Sequence, residues 1–190
     1  MSGKLTVVVG PMYSGKTSTL LSMVEIYTLG KKRIRVFKPI IDTRYSSNHV
    51  VSHSGQMAEA INVYDSSEIE EIVSRENEKL DAIFIDETNF FDQGLLEVVQ
   101  KMIFAGIDVF CVGLDLSYKH RPFAVTANLM AAADEVIKKK AVCHICGEYS
   151  ATVTHRISGA IDTEIDVGGM EKYIAVCRDC YIKLNSLNHK

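Results

Sequence analysis

The chain has 190 residues, 47% hydrophobic and 24% charged, with a formal net charge of −3 and a pI of about 6.1. Those values suit one globular domain with room for a small appendage, and they exclude the basic footprint of a bulk nucleic-acid binder. The apolar start is too short for a signal peptide and no run reaches the ~18 apolar residues of a membrane helix, so a cytoplasmic protein is expected.

Leu5-Thr6-Val7-Val8-Val9 reads as a short buried strand. Gly10-Pro11-Met12-Tyr13-Ser14-Gly15-Lys16-Thr17 follows and fits G-x-x-x-x-G-K-[ST], the phosphate-binding loop. Residues 17–29 read as a helix with Leu20, Val24 and Tyr27 on one face. Strand, glycine-rich loop and helix together aim backbone N–H groups and a helix N-terminus at a phosphate chain. Lys16 is then expected at the β/γ-phosphates and the Thr17 hydroxyl on Mg²⁺. Gly30 reads as a C-cap, and Ile34-Arg35-Val36-Phe37 as a second strand stopped by Pro39. From Ile40 to Met57 the pattern is lost, and a polar loop of that length is expected to serve the active site. Residues 60–63 suggest a strand. Ser67-x-x-Glu70 resembles a capping box, opening a helix to about Arg75.

Ala82-Ile83-Phe84-Ile85 predicts a strand that ends at Asp86. Four apolar residues carry that carboxylate to the C-terminal edge of a sheet, where parallel α/β folds bind ligands. Asp86 is therefore expected to hold Mg²⁺, directly or through water. Glu87 comes next, and adjacent carboxylates at a strand end splay apart. Glu87 is expected to act as catalytic base, toward a hydroxyl in a kinase or a water in a hydrolase. A helix from Leu95 to near Gly106, a strand at 109–112, a helix at 124–133 and a strand at 135–137 complete the alternation. Such alternation implies a mostly parallel sheet flanked by helices. Cys111 falls inside an apolar strand and reads as a buried small hydrophobe.

The character changes near Lys140, which divides the chain into units at 1–140 and 141–190. Cys143-x-x-Cys146 and Cys177-x-x-Cys180 stand 30 residues apart, the signature of a closed four-thiolate zinc site of structural type. The insert between them carries Gly159, Gly168 and Gly169. Stapled at its ends by zinc, it would form a lasso whose glycines permit close backbone approach to a ligand. Tyr173 either leans over that ligand or packs half-buried, and the histidines, His144 included, read as polar loop residues. The fold class expected is a P-loop (RecA-like) α/β domain with a small C-terminal zinc ribbon carrying the lasso.

These residues, taken together, resemble the type II thymidine kinases. The matching stretches are the phosphate loop at 10–17, Phe-Lys-Pro at 37–39, Asp-Thr-Arg-Tyr-Ser at 42–46 and Ser-His-Ser-Gly at 52–55. Ile-Asp-Glu-x-x-Phe-Phe at 85–91, Gly-Leu-Asp at 113–115, Pro-Phe at 122–123 and Lys-Ala-Val-Cys at 140–143 continue the match, and Gly-Gly-x-x-Lys-Tyr-x-x-Val-Cys-Arg-x-Cys-Tyr at 168–181 closes it. The resemblance implies transfer of the γ-phosphoryl group of ATP to the 5′-hydroxyl of deoxythymidine, with Glu87 as base. It implies that Asp42 and Arg44 lie near the transferred phosphate. It maps Met12, Phe90, Leu114, Tyr118, Phe123 and Thr154 onto the substrate pocket, with Asp166, Val167, Gly168 and Tyr173 closing over the base. It also implies a homotetramer inhibited by deoxythymidine triphosphate, with no nucleic-acid or membrane partner. One departure stands out: the family usually has Gln two positions after the catalytic Glu, and here the residue is Asn89, one methylene shorter, which is left outside the expected site. Thr88 is expected to be minor.

Overall fold

The computed structural model describes residues 1–41, 48–52, 55–158 and 168–187. The described elements, in order, are β1 (Leu5–Val9), α1 (Lys16–Leu29), β2 (Ile34–Pro39), β3 (His49–Val51), β4 (Met57–Glu59) and β5 (Ile61–Val63). They continue with α2 (Ser66–Ser74), β6 (Ala82–Ile85), a 3₁₀ turn (Thr88–Phe90), α3 (Leu95–Phe104), β7 (Asp108–Gly113) and α4 (Ala124–Ala132). The last are β8 (Glu135–Lys138), β9 (Val153–Arg156), β10 (Tyr173–Val176) and α5 (Arg178–Leu187). None of the described helices is long and apolar enough to cross a membrane.

Six strands form one sheet in the order β5-β2-β6-β7-β1-β8, and every pairing in it is parallel. Alternation along the strands sends Leu5, Val7, Val9, Ile83, Ile85 and Val109 to one face, beneath α2, α3 and α4. Val8, Val36, Phe84, Phe110 and Val112 face the other way, beneath α1. There the Phe84 and Phe110 rings stack at 4.8 Å, and Tyr27 of α1 meets both edge-on. A sheet covered on both faces explains why its strands read as near-continuous apolar runs. Cys111 is fully buried among them, and burial pushes its thiol well above the usual range.

Two local expectations need correcting. The stretch before Met57 is not all loop, because β3 and β4 pair antiparallel, His49 opposite Glu59 and Val51 opposite Met57. Three-residue strands are too short to show a period of two. What holds the hairpin is Val50, buried in the cluster under α1. The second helix also begins earlier than a capping box at Ser67 would place it. Its N-cap is Asp65, whose carboxylate accepts from Ser67 N and Glu68 N, while Glu68 Oε2 accepts from Tyr64 N at 2.8 Å. An aspartate is as good an N-cap as serine, and Asp65 satisfies the Ser67 and Glu68 N–H groups of a helix that starts two residues before the expected one.

Beyond β8 a separate small core forms. Ala141, Cys143, Ala151, Val153, Ile174, Ala175 and Val176 pack together, with β9 antiparallel to β10. Tyr13 of the phosphate loop packs against this cluster, so it abuts the edge of the sheet from which that loop leaves.

Candidate active site

The phosphate loop leaves β1 at Gly10, where φ is 148° and a Cβ would stand 2.6 Å from the Lys139 carbonyl oxygen. Only glycine allows the loop to turn so close to the end of β8. Tyr13 takes a left-handed conformation at φ 64°, which an L-residue adopts at a cost on the order of 1–3 kcal/mol. Several contacts offset that strain. Met12 N donates to Thr154 Oγ1 at 3.0 Å, and Ser14 Oγ and Lys16 Nζ donate to the Pro11 carbonyl at 2.8 and 2.7 Å. Lys139 Nζ donates to Gly15 O and to Thr19 Oγ1, across the first turn of α1.

Asp86 follows β6 and is buried. Its backbone N–H donates to Phe37 O at 2.9 Å, and the Thr17 hydroxyl donates to its Oδ2 at 3.4 Å. One strand, β7, separates β6 from β1, so the carboxylate faces the phosphate loop across the sheet edge. A hydroxyl and a carboxylate converging on one point are a hard-oxygen donor set of the kind Mg²⁺ takes. Glu87 then turns away. Its N–H donates to Asp86 Oδ1 at 2.9 Å and its backbone is left-handed, φ 50° and ψ 44°. Consecutive carboxylates thus point in different directions, Asp86 toward Thr17 and Glu87 into a cavity.

That cavity measures about 400 Å³. Met12 to Ser18 form one side of it, Glu87, Phe90, Leu114, Tyr118 and Phe123 another, and Thr154, Gly168 and Tyr173 come from the cysteine-bearing unit. Every substrate-pocket residue named from the sequence and described in the structure lies in this lining. Gly10, Pro11 and Asp86 are not among its lining residues. Asp42, Arg44, Asp166 and Val167 lie outside the described residues. Tyr173 is nearly fully buried, its ring centroid 6.3 Å from that of Tyr118. The Oγ1 of Thr154 is occupied by the Met12 N–H.

Some residues of the site carry no local sequence signal. Val142, His144 and Met170 also line the cavity, and the His144 backbone N–H donates to Ala175 O at 2.8 Å. Asn89 is buried, and its Oδ1 accepts from Leu114 N at 2.9 Å, fixing the start of the pocket loop. Gly113 just before it has no room for a side chain, since a Cβ would lie 2.4 Å from Thr88 Oγ1 and 2.9 Å from Asn89 Oδ1. Thr88 is therefore a packing partner of the pocket loop. Asp115, buried in the same loop, accepts from Leu116 N at 3.1 Å and pairs with Lys138 Nζ at 2.8 Å, which ties the loop to β8.

The four sulfurs of Cys143, Cys146, Cys177 and Cys180 all lie within 4.8 Å of one another. Cys146 Sγ and Cys177 Sγ are 3.9 Å apart, close to the ~3.8 Å edge that a tetrahedron of 2.3 Å Zn–S bonds requires. Desolvation raises the Cys143 thiol, but N–H groups of Cys146, Cys177 and Ile145 aimed at its sulfur more than offset that and bring it down to about 6. A thiol lowered by backbone donors, with three more sulfurs within 4.8 Å, fits structural zinc.

The sequence model of the family described as thymidine kinase matches residues 3–181 of the chain. A thymidine kinase of Pseudothermotoga lettingae is 53% identical over 188 residues, covering 99% of this chain and 100% of that relative. Among solved structures, the flagellar accessory protein FlaH of Methanocaldococcus jannaschii aligns with a TM-score of 0.49 at 13% identity, over 85% of this chain and 75% of its own. Domain III of the replication initiation protein DnaA of Thermotoga maritima aligns with a TM-score of 0.42 at 13% identity, over 72% and 54% of the two chains.

Proposed function

The chain belongs to the thymidine kinase family, and on that footing we propose that its pocket transfers the γ-phosphoryl group of ATP to the 5′-hydroxyl of deoxythymidine, giving deoxythymidine monophosphate. The observation that carries this reading is a cavity in which the phosphate loop, Glu87 and a ring of apolar and aromatic side chains meet. At about 400 Å³ it is of the size that encloses a small ligand, and its mixed lining suits an uncharged base beside a phosphate chain. A net charge of −3 agrees with a nucleoside acceptor, which asks for no basic surface.

Phosphoryl transfer asks the protein for positioning and for charge stabilisation. The N–H groups of the phosphate loop and the Lys16 ammonium would bind the donor phosphates. Thr17 and Asp86 would hold Mg²⁺, which would supply positive charge to offset the negative charge developing on the transferred phosphate. Glu87, turned into the cavity by its left-handed backbone, would accept the proton of the 5′-hydroxyl. Asp42 and Arg44 are assigned to the transferred phosphate on the family resemblance. Met12, Phe90, Leu114, Tyr118, Phe123 and Tyr173 would enclose the nucleoside, with Asp166, Val167 and Gly168 over the base. Thr154 would act through Met12, whose N–H it holds. Zinc on the four cysteines would fix the 141–190 unit against the 1–140 unit. Assembly as a homotetramer, feedback inhibition by deoxythymidine triphosphate in the acceptor site, and a cytoplasmic setting are proposed on the family resemblance.

The test is ATP consumption against a panel of nucleosides. Deoxythymidine is expected to be the best acceptor. Deoxyuridine, which lacks only the methyl, is expected to be poorer by about 10–200-fold, the worth of one methyl in an apolar pocket. Consumption without any nucleoside preference, or ATP hydrolysis stimulated by DNA, would overturn the assignment.

A further inference from the structure

We propose that Arg156 is a positioning residue for the acceptor pocket, which sets the ring of Tyr118 against Tyr173; the proposal rests on the acceptor reading given above. In the antiparallel ribbon Arg156 stands directly opposite Tyr173, so the two side chains project from the same face. Both reach one ring. The Arg156 guanidinium carbon lies 4.9 Å from the Tyr118 centroid, within the ~6 Å reach of a cation–π contact, and the Tyr173 ring lies 6.3 Å away at 44°.

The guanidinium is held by its edge. Its Nε donates to Ser158 O at 2.9 Å, Ser158 Oγ donates to Glu171 O at 2.6 Å, and Ile157 N donates to Lys172 O at 2.8 Å. An arginine fixed by its edge presents a planar face, which a lysine cannot do. Tyr118 needs such a partner. The turn around it is set by Ser117 N donating to Arg121 O at 2.9 Å and His120 N to Ser117 O at 3.0 Å. Those bonds fix backbone, and the direction of the half-buried ring also depends on what packs on it. Lys119 also approaches the ring, at 5.6 Å, but it belongs to the same loop and cannot register that loop against the ribbon. Arg156 does so, and the wall it fixes, Tyr118 beside Tyr173, faces the acceptor end of the cavity.

The experiment measures KM and kcat for deoxythymidine and for ATP in wild type, Arg156→Leu and Arg156→Lys, with zinc content and melting temperature alongside. The same Arg156→Leu change is also made in a Tyr118→Leu background. Arg156→Leu is expected to raise the deoxythymidine KM about 10-fold, as loss of a partly desolvated cation–π contact would. The ATP KM and zinc content are expected to stay within about twofold of wild type, since the change acts at the Tyr118 ring. Arg156→Lys recovers part of the loss, and in the Tyr118→Leu background the effect of Arg156→Leu vanishes, since both changes remove one contact. An acceptor KM unchanged by Arg156→Leu, a parallel rise in both KM values, or an effect of the same size without the Tyr118 ring would each overturn the proposal. Wild-type turnover in the same series reports on the acceptor reading independently. If no nucleoside is phosphorylated, that reading fails, and calorimetric binding of deoxythymidine to the same proteins decides the role of Arg156.

Discussion

Glu87 occupies a backbone conformation that few non-glycine residues adopt, φ 50° and ψ 44°, and it follows a buried aspartate whose Oδ1 takes its N–H. That geometry separates two neighbouring carboxylates that would otherwise compete for one place. Glu87→Gln keeps the size and the hydrogen-bonding reach but removes the proton acceptor. Its kcat for deoxythymidine is expected to fall by a factor of about 10² or more, with ATP binding retained. Turnover near wild type would remove Glu87 from the base role. Asn89, two residues on, makes a different point. An amide two positions after Glu87 is visible in the sequence, but its partner is not, since Leu114 N lies 25 residues away. Asn89→Leu strands that backbone N–H against a buried side chain and should cost about 1–3 kcal/mol in urea unfolding. The loss should also reach the acceptor KM, because Leu114 is a wall of the pocket. A variant as stable as wild type would show that water replaces the amide at Leu114.

At the scale of elements, segments with an apolar run or helical spacing are legible in the sequence, the short β5, β6 and β8 among them, and the β3–β4 hairpin is not. β1, β6, β7, α1 and α3 fall within a residue or two of where apolar runs and spacing put them, because each buries a whole face in the core. The β3–β4 hairpin escapes sequence reasoning because one buried residue, Val50, carries it, and one residue makes no pattern. The pocket loop at 114–123 is legible only as a family motif. Its shape depends on Asn89, Lys138 and the ribbon, all distant in sequence. His120, at φ 60°, stacks on Tyr181 of α5 at 4.1 Å, and His155 of β9 meets the same ring at 5.6 Å. Burial, then the neighbouring Arg178 charge, lowers the His120 pKa, while burial and then His120 lower that of His155. The unfolded chain therefore takes up these protons first as pH falls. Stability from this cluster is complete above the unfolded value of about 6.5 and declines below it, through the folded values. Melting temperature is expected to drop as pH falls below about 6.5, and to drop less in His120→Asn, whose side chain tolerates the left-handed turn. Identical profiles for the two proteins would place the acid sensitivity elsewhere.

The whole molecule joins two hydrophobic cores of the parallel sheet to a third that depends on thiolates. Among the described residues, neither of the first two cores includes one beyond β8, so the sheet's own packing does not run through the cysteines. The site is different. Tyr13 rests on the zinc-side cluster, Met12 N is held by Thr154, and Tyr118 is held by Arg156, so both the phosphate loop and the acceptor loop lean on the ribbon. Metal analysis is expected to find about one zinc per chain, four thiolates leaving no open position. Removing it with a chelator then has an outcome that the layered architecture dictates. Far-UV circular dichroism should keep most of the signal of α1 to α4, while KM rises for deoxythymidine and for ATP together, since both loops lose their support. Thr154→Val separates the two effects. It deletes the acceptor for Met12 N without touching the cysteines, so the zinc content stays whole and the KM for ATP rises. A neutral, buried hydrogen bond of this kind is worth about 1–3 kcal/mol when one partner is left unsatisfied, which corresponds to a rise of roughly 5- to 150-fold if the whole loss falls on nucleotide binding. If chelation instead melts the sheet in one transition with the ribbon, the third core is part of the first two energetically, and zinc acts on the whole fold rather than on the site.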